Sequence, residues 1–333
     1  MLVAFRARLS LLALASHTLS SSLAPAAMAS SPNPKRRTFA TGPPASDSGI
    51  DLYSARTPSG LKINVALEEL ADVGTYALAW KEHPIDLSKN EQKEEWFLRE
   101  INPNGRIPAV IDRSRGDVRV FETGAILLYL ASAYDSTYNL HFLEDMDEAE
   151  MWSWVFFQHG GTGPMFGQAG HFLNAAPVKD VYAARRYIDE SKRLLGVYEQ
   201  QLAGGEGRDY LVGPGRGKFS FVALTLFPTP PCPAAPRTGL PSTPQASFTW
   251  VRAHPLSLGI PSLAAAGFPA TDAWLRRIEA RPGAARAVEG DMVSRIKSEE
   301  GWQDRVVEKS RWVWAEEAES VGEASTARKR DEL

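Results

Sequence analysis

The spacing of apolar positions divides the chain into a first half that alternates between strand and helix and a second half that is mainly helical. Ile63, Leu67 and Leu70 recur at helical spacing and predict a helix that opens at a turn over residues 57–60. Strands are predicted over residues 50–53, 77–85, 106–112 and 118–121, and a further apolar helix over residues 123–133. This order of elements predicts a small α/β sheet with helices packed on it, spanning residues 50–136.

The second predicted domain spans residues 143–297 and shows helical periodicity almost throughout. Residues 188–202 carry their apolar side chains on one helical face, and Gly204 follows as a stop signal. Residues 222–245 interrupt the domain, because seven prolines and one charged residue cannot continue a helix. Beyond the domain, residues 298–333 form a charged tail.

Composition and charge narrow the classes of function. The 333 residues are 44% apolar and 23% charged, with a formal net charge of −3, a balance that gives no strong electrostatic indication of nucleic-acid binding. No run of about 18 apolar residues predicts a membrane-spanning helix. Cys232 is the single cysteine, which excludes an internal disulfide, and the six histidines lack ligand spacing. We therefore predict no metal site.

The first 46 residues contain no Asp or Glu and are rich in Ser, Ala and Arg. This composition predicts a mitochondrial transit peptide, and residues 37–40 resemble a matrix-protease cleavage site. Two alternatives stay open. Translation from Met28 would leave an untranslated extension and a cytoplasmic protein. A secretory leader with its apolar core at residues 9–15 would agree with the C-terminal residues 330–333, which resemble a retention signal of the ER lumen.

Five short motifs carry a resemblance to a known family. They are Asn102-Pro103-Asn104-Gly105-Arg106-Ile107-Pro108-Ala109, Phe121-Glu122-Thr123-Gly124-Ala125, Gly160-Gly161, Gly163-Pro164-Met165 and Gly167-Gln168. Together they resemble the glutathione S-transferases, in the Nu-class and nitrogen-regulator-like branch with its bacterial disulfide-bond oxidoreductases and fungal transferases. The similarity runs from about residue 50 to about residue 290, except at the interruption. The resemblance implies a thioredoxin-like N-terminal domain followed by an all-helical C-terminal domain.

The chemistry of this family requires an ionised glutathione thiol near pH 7, although a free thiol titrates at about 8.5. A hydroxyl donor beside a helix N-terminus stabilises the thiolate. Thr57 and Ser59 lie in the turn where such a donor is expected, so both are candidate catalytic residues. The resembling branch usually has Asn at the second position, where this chain has Ser59. The alternative is that both residues only cap the helix.

The resemblance also implies a set of glutathione-binding residues. Pro108 is expected to follow a cis peptide bond, with Ile107 offering its main-chain N–H and C=O to the cysteinyl residue as a short added strand does. Glu122 would pair with the γ-glutamyl ammonium group, and Thr123 with the α-carboxylate. Gln92 would lie near the tripeptide, and Arg106 would meet the glycyl carboxylate. For Gln92 and Arg106, a plain surface position is the alternative.

Further residues concern the co-substrate and the interruption. Met165, Phe166, His171 and Phe172 are expected to form an apolar wall for an electrophilic co-substrate, with a core position as the alternative. In the family, a helix near Ser220 begins with a Ser-x-x-Asp capping box, but no Asp follows Ser220 here. Residues 222–245 correspond to 72 nucleotides, which leads to the hypothesis of a retained intron.

The expected function is a glutathione-dependent transferase, with glutathione as co-substrate. Its thiolate would conjugate to electrophiles, as in detoxification, or reduce disulfides and peroxides. The alternative is a non-catalytic regulatory or binding paralogue that keeps the fold. The expected partners are glutathione and a small electrophile or disulfide, and the family implies a homodimer.

Overall fold

The structure is a computed structural model that describes residues 46–73, 78–220 and 245–314. The predicted leader up to residue 45, residues 222–244 of the predicted interruption, and the tail beyond residue 314 lie outside the described residues. The retained-intron hypothesis therefore stays a prediction. Before the gap, Ser220 is fully buried, and its hydroxyl has no hydrogen-bond partner in the described part of the chain.

In its described residues, the first domain is a four-stranded mixed sheet with two α-helices and short helical turns between β2 and β3. Its elements are β1 (Ile50–Ser54), α1 (Pro58–Asp72), β2 (Trp80–Pro84), β3 (Ala109–Asp112), β4 (Val118–Phe121) and α2 (Thr123–Tyr134). The strand order is β2-β1-β3-β4, with β1 parallel to β2 and antiparallel to β3, and β3 antiparallel to β4. This is the predicted thioredoxin-like arrangement. β3 begins at Ala109 instead of residue 106, because the preceding Pro108 has no N–H to donate to the ladder.

The helices of the first domain bury the residues that the periodicity indicated. Ile63, Leu67 and Leu70 of α1 are at most 2% exposed and share a core with β1. All five residues of β1 are buried. The sheet is therefore covered where α1 packs, and the N-terminus of α1 stays at the edge of the domain.

The second domain is helical, as predicted. Its helices are α3 (Asp145–Phe157), α4 (Gly163–Asn174), α5 (Val181–Ala203), α6 (Gln245–Arg252), α7 (His254–Leu258), α8 (Pro269–Glu279), α9 (Pro282–Val288) and α10 (Met292–Lys297), followed by helical residues 302–314. A π-helical turn over Gln158–Thr162 joins α3 to α4. Tyr198 of α5 stacks between Trp154 and Trp274, with ring centroids at 5.6 and 6.1 Å.

Several contacts join the two domains, and two of them involve opposite ends of α1. Arg281 forms an ion pair with Glu69 of α1 at 2.6 Å, which brings α9 against α1. Thr249 of α6 donates a hydrogen bond to the carbonyl of Pro58 at the start of α1. Both contacts involve α1, so its N-terminus faces the helical domain across a cleft. Among the described helices, none is both long and apolar enough to cross a membrane.

Candidate active site

A cleft lies between the two domains and draws its walls from six parts of the fold. The sheet side contributes Ser59 and Lys62 of α1, then Asn102, Arg106, Ile107 and Pro108 of the loop before β3, then Glu122 and Thr123 at α2. The helical side contributes Gln158, His159, Gly163, Pro164, Gly167, Gln168 and Trp250. Concave sites of this kind between domains are the usual place for small ligands.

The start of α1 separates the roles of the two candidate hydroxyls. Thr57 is the N-cap of the helix, and its Oγ1 atom accepts a hydrogen bond from the N–H of Gly60 at 3.1 Å. Thr57 is not among the residues that line the cleft, whereas Ser59 is. A Cβ atom on Gly60 would lie 2.0 Å from the carbonyl oxygen of Ala55. Glycine is therefore required where the chain turns from β1 into the helix.

The loop before β3 is ordered by one asparagine. Asn102 donates from Nδ2 to the carbonyl of Arg106 at 2.9 Å, and its Oδ1 accepts from the N–H of Asn104 at 2.9 Å. Gly105 has φ +61°, in the left-handed region that favours glycine. The Ile107–Pro108 peptide bond is cis, which confirms the expectation. Arg106 is exposed at the rim of the cleft.

Glu122 and Thr123 meet the cleft where α2 begins. Glu122 precedes the helix with φ 69°, a conformation that is uncommon for a residue other than glycine. Its carboxylate lies 3.3 Å from Nε2 of His159 and accepts a 3.3 Å hydrogen bond from Nδ2 of Asn104. Thr123, the first residue of α2, is 6% exposed. The carboxylate thus faces the cleft beside the N–H groups at the start of the helix.

Lys62 is a residue of the cleft that the sequence analysis missed. It is 1% exposed, and its Nζ atom donates to Oγ1 of Thr123 at 2.9 Å and to Oε1 of Gln158 at 2.7 Å. Burial lowers the pKa of Lys62 to about 7, against the opposing effect of the Glu122 carboxylate. The available signal was a lysine placed directly between the apolar residues Leu61 and Ile63 of a predicted helix.

His159 is a second residue that the analysis missed. It lies on the π-helical turn, a kind of helix irregularity that is frequent at functional sites. Burial and the nearby Lys62 ammonium lower the pKa of His159, while the Glu122 carboxylate opposes them. The lowered pKa favours the neutral imidazole, which can accept or donate a hydrogen bond inside the cleft.

Besides Thr57, five predicted residues do not line the cleft. Gln92 lies in a short turn, Glu91–Lys93, and its buried Oε1 has no hydrogen-bond partner among the described residues. Met165 lines a separate cavity against α5, and Phe166 is fully buried in the core. Phe172 stacks on Tyr187 at 5.5 Å and contacts His171 edge to face at 5.2 Å.

The orientation of α4 explains why the predicted residues of this helix do not form an apolar wall of the cleft. The helix turns Gly163 and Gly167 toward the cleft, four residues apart, so Phe166 faces the core on another side. A Cβ atom on Gly167 would lie 3.4 Å from the ring of Trp250. On the helical side of the cleft, Trp250 and Pro164 therefore supply the apolar surface, with the glycines leaving room in front of the indole.

The described residues hold no group of three or more His, Cys, Asp or Glu side chains that could bind a metal ion. The chain's single cysteine, Cys232, lies outside them. The polar groups that the cleft offers are hydroxyls, amides, one carboxylate and three basic side chains, Lys62, Arg106 and His159.

Glutathione transferases share this architecture. A thioredoxin-like sheet, with a cis X–Pro bond before its third strand, faces a helical domain across a cleft. Residues 48–132 match the glutathione S-transferase N-terminal domain. Over 243 residues the chain is 35% identical to the disulfide-bond oxidoreductase YfcG of Escherichia coli, which covers 72% of this chain and 94% of YfcG. The chain belongs to the glutathione S-transferase family, as the resemblance predicted.

Solved structures agree with this assignment. A glutathione transferase homolog from Lodderomyces elongisporus, with two glutathione molecules per subunit, is 30% identical with a TM-score of 0.57, covering 72% of this chain and 98% of that one. A glutathione transferase from Phanerochaete chrysosporium in complex with oxidized glutathione is 29% identical with a TM-score of 0.59, covering 73% and 96%. Both similarities extend over the sheet domain and the helical domain together.

Proposed function

We propose that this chain binds glutathione, activates its thiol, and uses it to reduce disulfides, with conjugation to electrophilic carbon as a second reaction of the same thiolate. The observation that carries the proposal is the position of Ser59. Ser59 lines the cleft in the first turn of α1, as do Ile107 and Pro108 of the cis peptide bond. The similarity to a disulfide-bond oxidoreductase and to a transferase with oxidized glutathione supports reduction as the main reaction.

In this proposal the tripeptide lies along the loop before β3. The main chain of Ile107 pairs with the cysteinyl residue, and Glu122 and Thr123 hold the two charged groups of the γ-glutamyl end. Arg106, exposed at the rim, meets the glycyl carboxylate. The sulfur then lies near Ser59, whose hydroxyl donates a hydrogen bond that lowers the pKa of the thiol, while the thiol proton leaves to solvent.

Disulfide reduction then proceeds in two exchanges. The glutathione thiolate attacks one sulfur of the substrate disulfide, so that a mixed disulfide forms and the other sulfur leaves as a thiolate that takes a proton from water. The thiolate of a second glutathione attacks the glutathione sulfur of this mixed disulfide. Oxidized glutathione forms and the second substrate thiol is released. Trp250 and Pro164 would contact the substrate beside the sulfur.

The Ser59→Ala variant tests the proposal. We expect it to lower kcat/KM by about 10- to 100-fold, both for glutathione-dependent reduction of hydroxyethyl disulfide and for conjugation of chlorodinitrobenzene, because the thiolate loses its donor. Ser153→Ala is the matched control, since Ser153 lies on the exposed side of α3 and donates only to the carbonyl of Ala149. Full activity of the Ser59 variant would contradict the assignment.

The ratio of the two wild-type rates separates the two chemistries. Faster disulfide reduction would support the oxidoreductase, and faster conjugation would support a transferase of the detoxifying kind. Retention on immobilised glutathione without turnover of either substrate would instead support the non-catalytic binding alternative. We also propose a homodimer, on family membership alone, which sedimentation velocity of the purified chain would test.

A further inference from the structure

Lys62 is a buried cation whose partners in the described structure are uncharged. It is 1% exposed, and its two hydrogen-bond acceptors are the hydroxyl of Thr123 and the amide oxygen of Gln158. No carboxylate of the described residues lies within ion-pair distance of its Nζ atom. An ammonium group has three N–H donors, and the third has no acceptor among the described residues. Because Lys62 also lines the cleft, a ligand can approach this group.

Burying an ammonium group without a negatively charged partner costs free energy, and a bound anion lowers that cost. The cleft is the side from which an anion can come, since the rest of the side chain is enclosed. The hydrogen bond from Lys62 also determines which further hydrogen bond the Thr123 hydroxyl can make. Its oxygen already accepts from Nζ, so its O–H remains to donate to a further acceptor.

We propose that Lys62 supplies the positive charge that binds the γ-glutamyl carboxylate of glutathione, directly through its third N–H and indirectly through the Thr123 hydroxyl. This inference rests on the proposed glutathione function. It makes Lys62 a specificity-determining residue for ligands whose first residue carries both a free amino group and a free α-carboxylate.

The surroundings favour the carboxylate over the thiolate as the anion that Lys62 binds. Thr123 begins the 12-residue helix α2, whose N-terminal N–H groups attract the same negative charge. Glu122, next to it, supplies the negative charge that an ammonium group needs. The carboxylate and ammonium of one amino-acid group therefore meet a cation and an anion on neighbouring residues. Ser59, the donor proposed for the thiolate, lies one helical turn before Lys62.

Binding by this route also takes up a proton. The groups that face Lys62 are Thr123 and the Glu122 carboxylate from α2, and Gln158 and His159 from the π-helical turn. Burial lowers the pKa of Lys62 to about 7. At pH 8, Lys62 is therefore neutral in most molecules of the ligand-free protein. A bound carboxylate favours the charged form, so binding draws a proton onto Lys62 and weakens as the pH rises above 7.

Titration calorimetry with two ligands tests the proposal. One ligand is S-methylglutathione, which has no ionisable thiol. The other is the same peptide with 4-aminobutyrate in place of the γ-glutamyl residue, which removes only the α-carboxylate. We expect wild-type protein to bind the second ligand about 10- to 100-fold more weakly. Lys62→Met should bind S-methylglutathione more weakly by a similar factor and should discriminate between the two ligands by less than about threefold.

Each of the other outcomes supports or contradicts the proposed role of Lys62. A Lys62→Met protein that discriminates like wild type overturns the role of Lys62 but leaves glutathione binding in place. Wild-type protein that binds neither ligand overturns the proposed function as well. If Lys62→Met does not fold, wild-type titrations at pH 8 in two buffers of different ionisation enthalpy give the answer. Proton uptake that persists in His159→Gln supports the proposal, and its absence in wild type contradicts it.

Discussion

The hydroxyl of Thr249 donates a 2.6 Å hydrogen bond to the carbonyl oxygen of Pro58, which joins the helical domain to the first residue of α1. Thr249 is 4% exposed, so water does not compete for this bond. Trp250, the next residue, lines the cleft, and Ser59 follows Pro58. This hydrogen bond therefore links the segment that carries the indole wall to the segment that carries the proposed thiolate donor.

We expect Thr249→Val to lower the free energy of unfolding by about 1–3 kcal/mol, because the substitution keeps the shape but removes the donor from a buried pair. It should also raise KM for glutathione, since α6 loses its link to α1. Urea denaturation followed by fluorescence measures the first effect and steady-state kinetics the second. Thr249→Ser keeps the hydroxyl and should restore KM; an unchanged KM in the valine variant would contradict the coupling.

His254 predicts a loss of stability in mild acid. Burial lowers its pKa to about 3, although the hydrogen bond to the carbonyl of Ile260 opposes this shift. The unfolded chain binds a proton at its ordinary pKa of about 6.5, whereas the folded protein does not. Stability from this residue is therefore full above pH 6.5 and falls as the pH decreases toward 3, by about 1.4 kcal/mol per pH unit.

The matched variant for this prediction is His254→Asn, whose Nδ2 can still donate to Ile260 but does not titrate. Urea denaturation between pH 4 and pH 7 should show a shallower decline in the free energy of unfolding for the variant than for wild type. Parallel declines would mean that carboxylates, and not His254, determine the acid sensitivity in this range.

We expect a substitution at Gly167 to change co-substrate selectivity without loss of the fold. In Gly167→Ala, the added methyl group would lie 3.4 Å from the Trp250 ring, at the wall of the cleft. We expect kcat/KM for a bulky aromatic disulfide to fall several-fold more than that for hydroxyethyl disulfide. Gly160→Ala is the control, because a Cβ atom there has no atom within 4 Å. Equal losses on both disulfides would argue against Trp250 as the substrate wall.

Lys62 predicts an alkaline gain in stability. Its pKa is about 10.5 in the unfolded chain and about 7 in the folded protein, so the unfolded state binds more protons between these values. The free energy of unfolding of ligand-free wild type should therefore rise from pH 7 to pH 10, relative to Lys62→Met, by about 1 kcal/mol per pH unit. Thermal denaturation of both proteins across this range measures the difference, and a constant difference would contradict the lowered pKa.

Much of the fold and part of the site could be predicted from the sequence, because their determinants are local. Apolar periodicity indicated α1 and the helical second domain, and the residues around Pro108 and Glu122 indicated the cis peptide bond before β3 and the start of α2. Lys62 could not be recognised, since its partners Thr123 and Gln158 come together only in the tertiary structure.

The expected co-substrate wall shows a different limit. An apolar stripe on α4 has the same sequence pattern whether it faces a ligand or the core, and Phe166 faces the core. The glycines that do face the cleft carry no side chain for a pattern to detect. Trp250 lies about 80 residues further along the chain, so only packing brings it to Gly167.

The cleft offers more basic than acidic side chains, whereas the chain as a whole is acidic. Arg106 and the ionisable amine of Lys62 line it together with the single carboxylate of Glu122, while the formal net charge of the chain is −3. An anionic peptide is thus repelled weakly by most of the surface and drawn toward one opening. Capture of such peptides should consequently slow as ionic strength rises, whereas their escape, once seated, should hardly respond to salt.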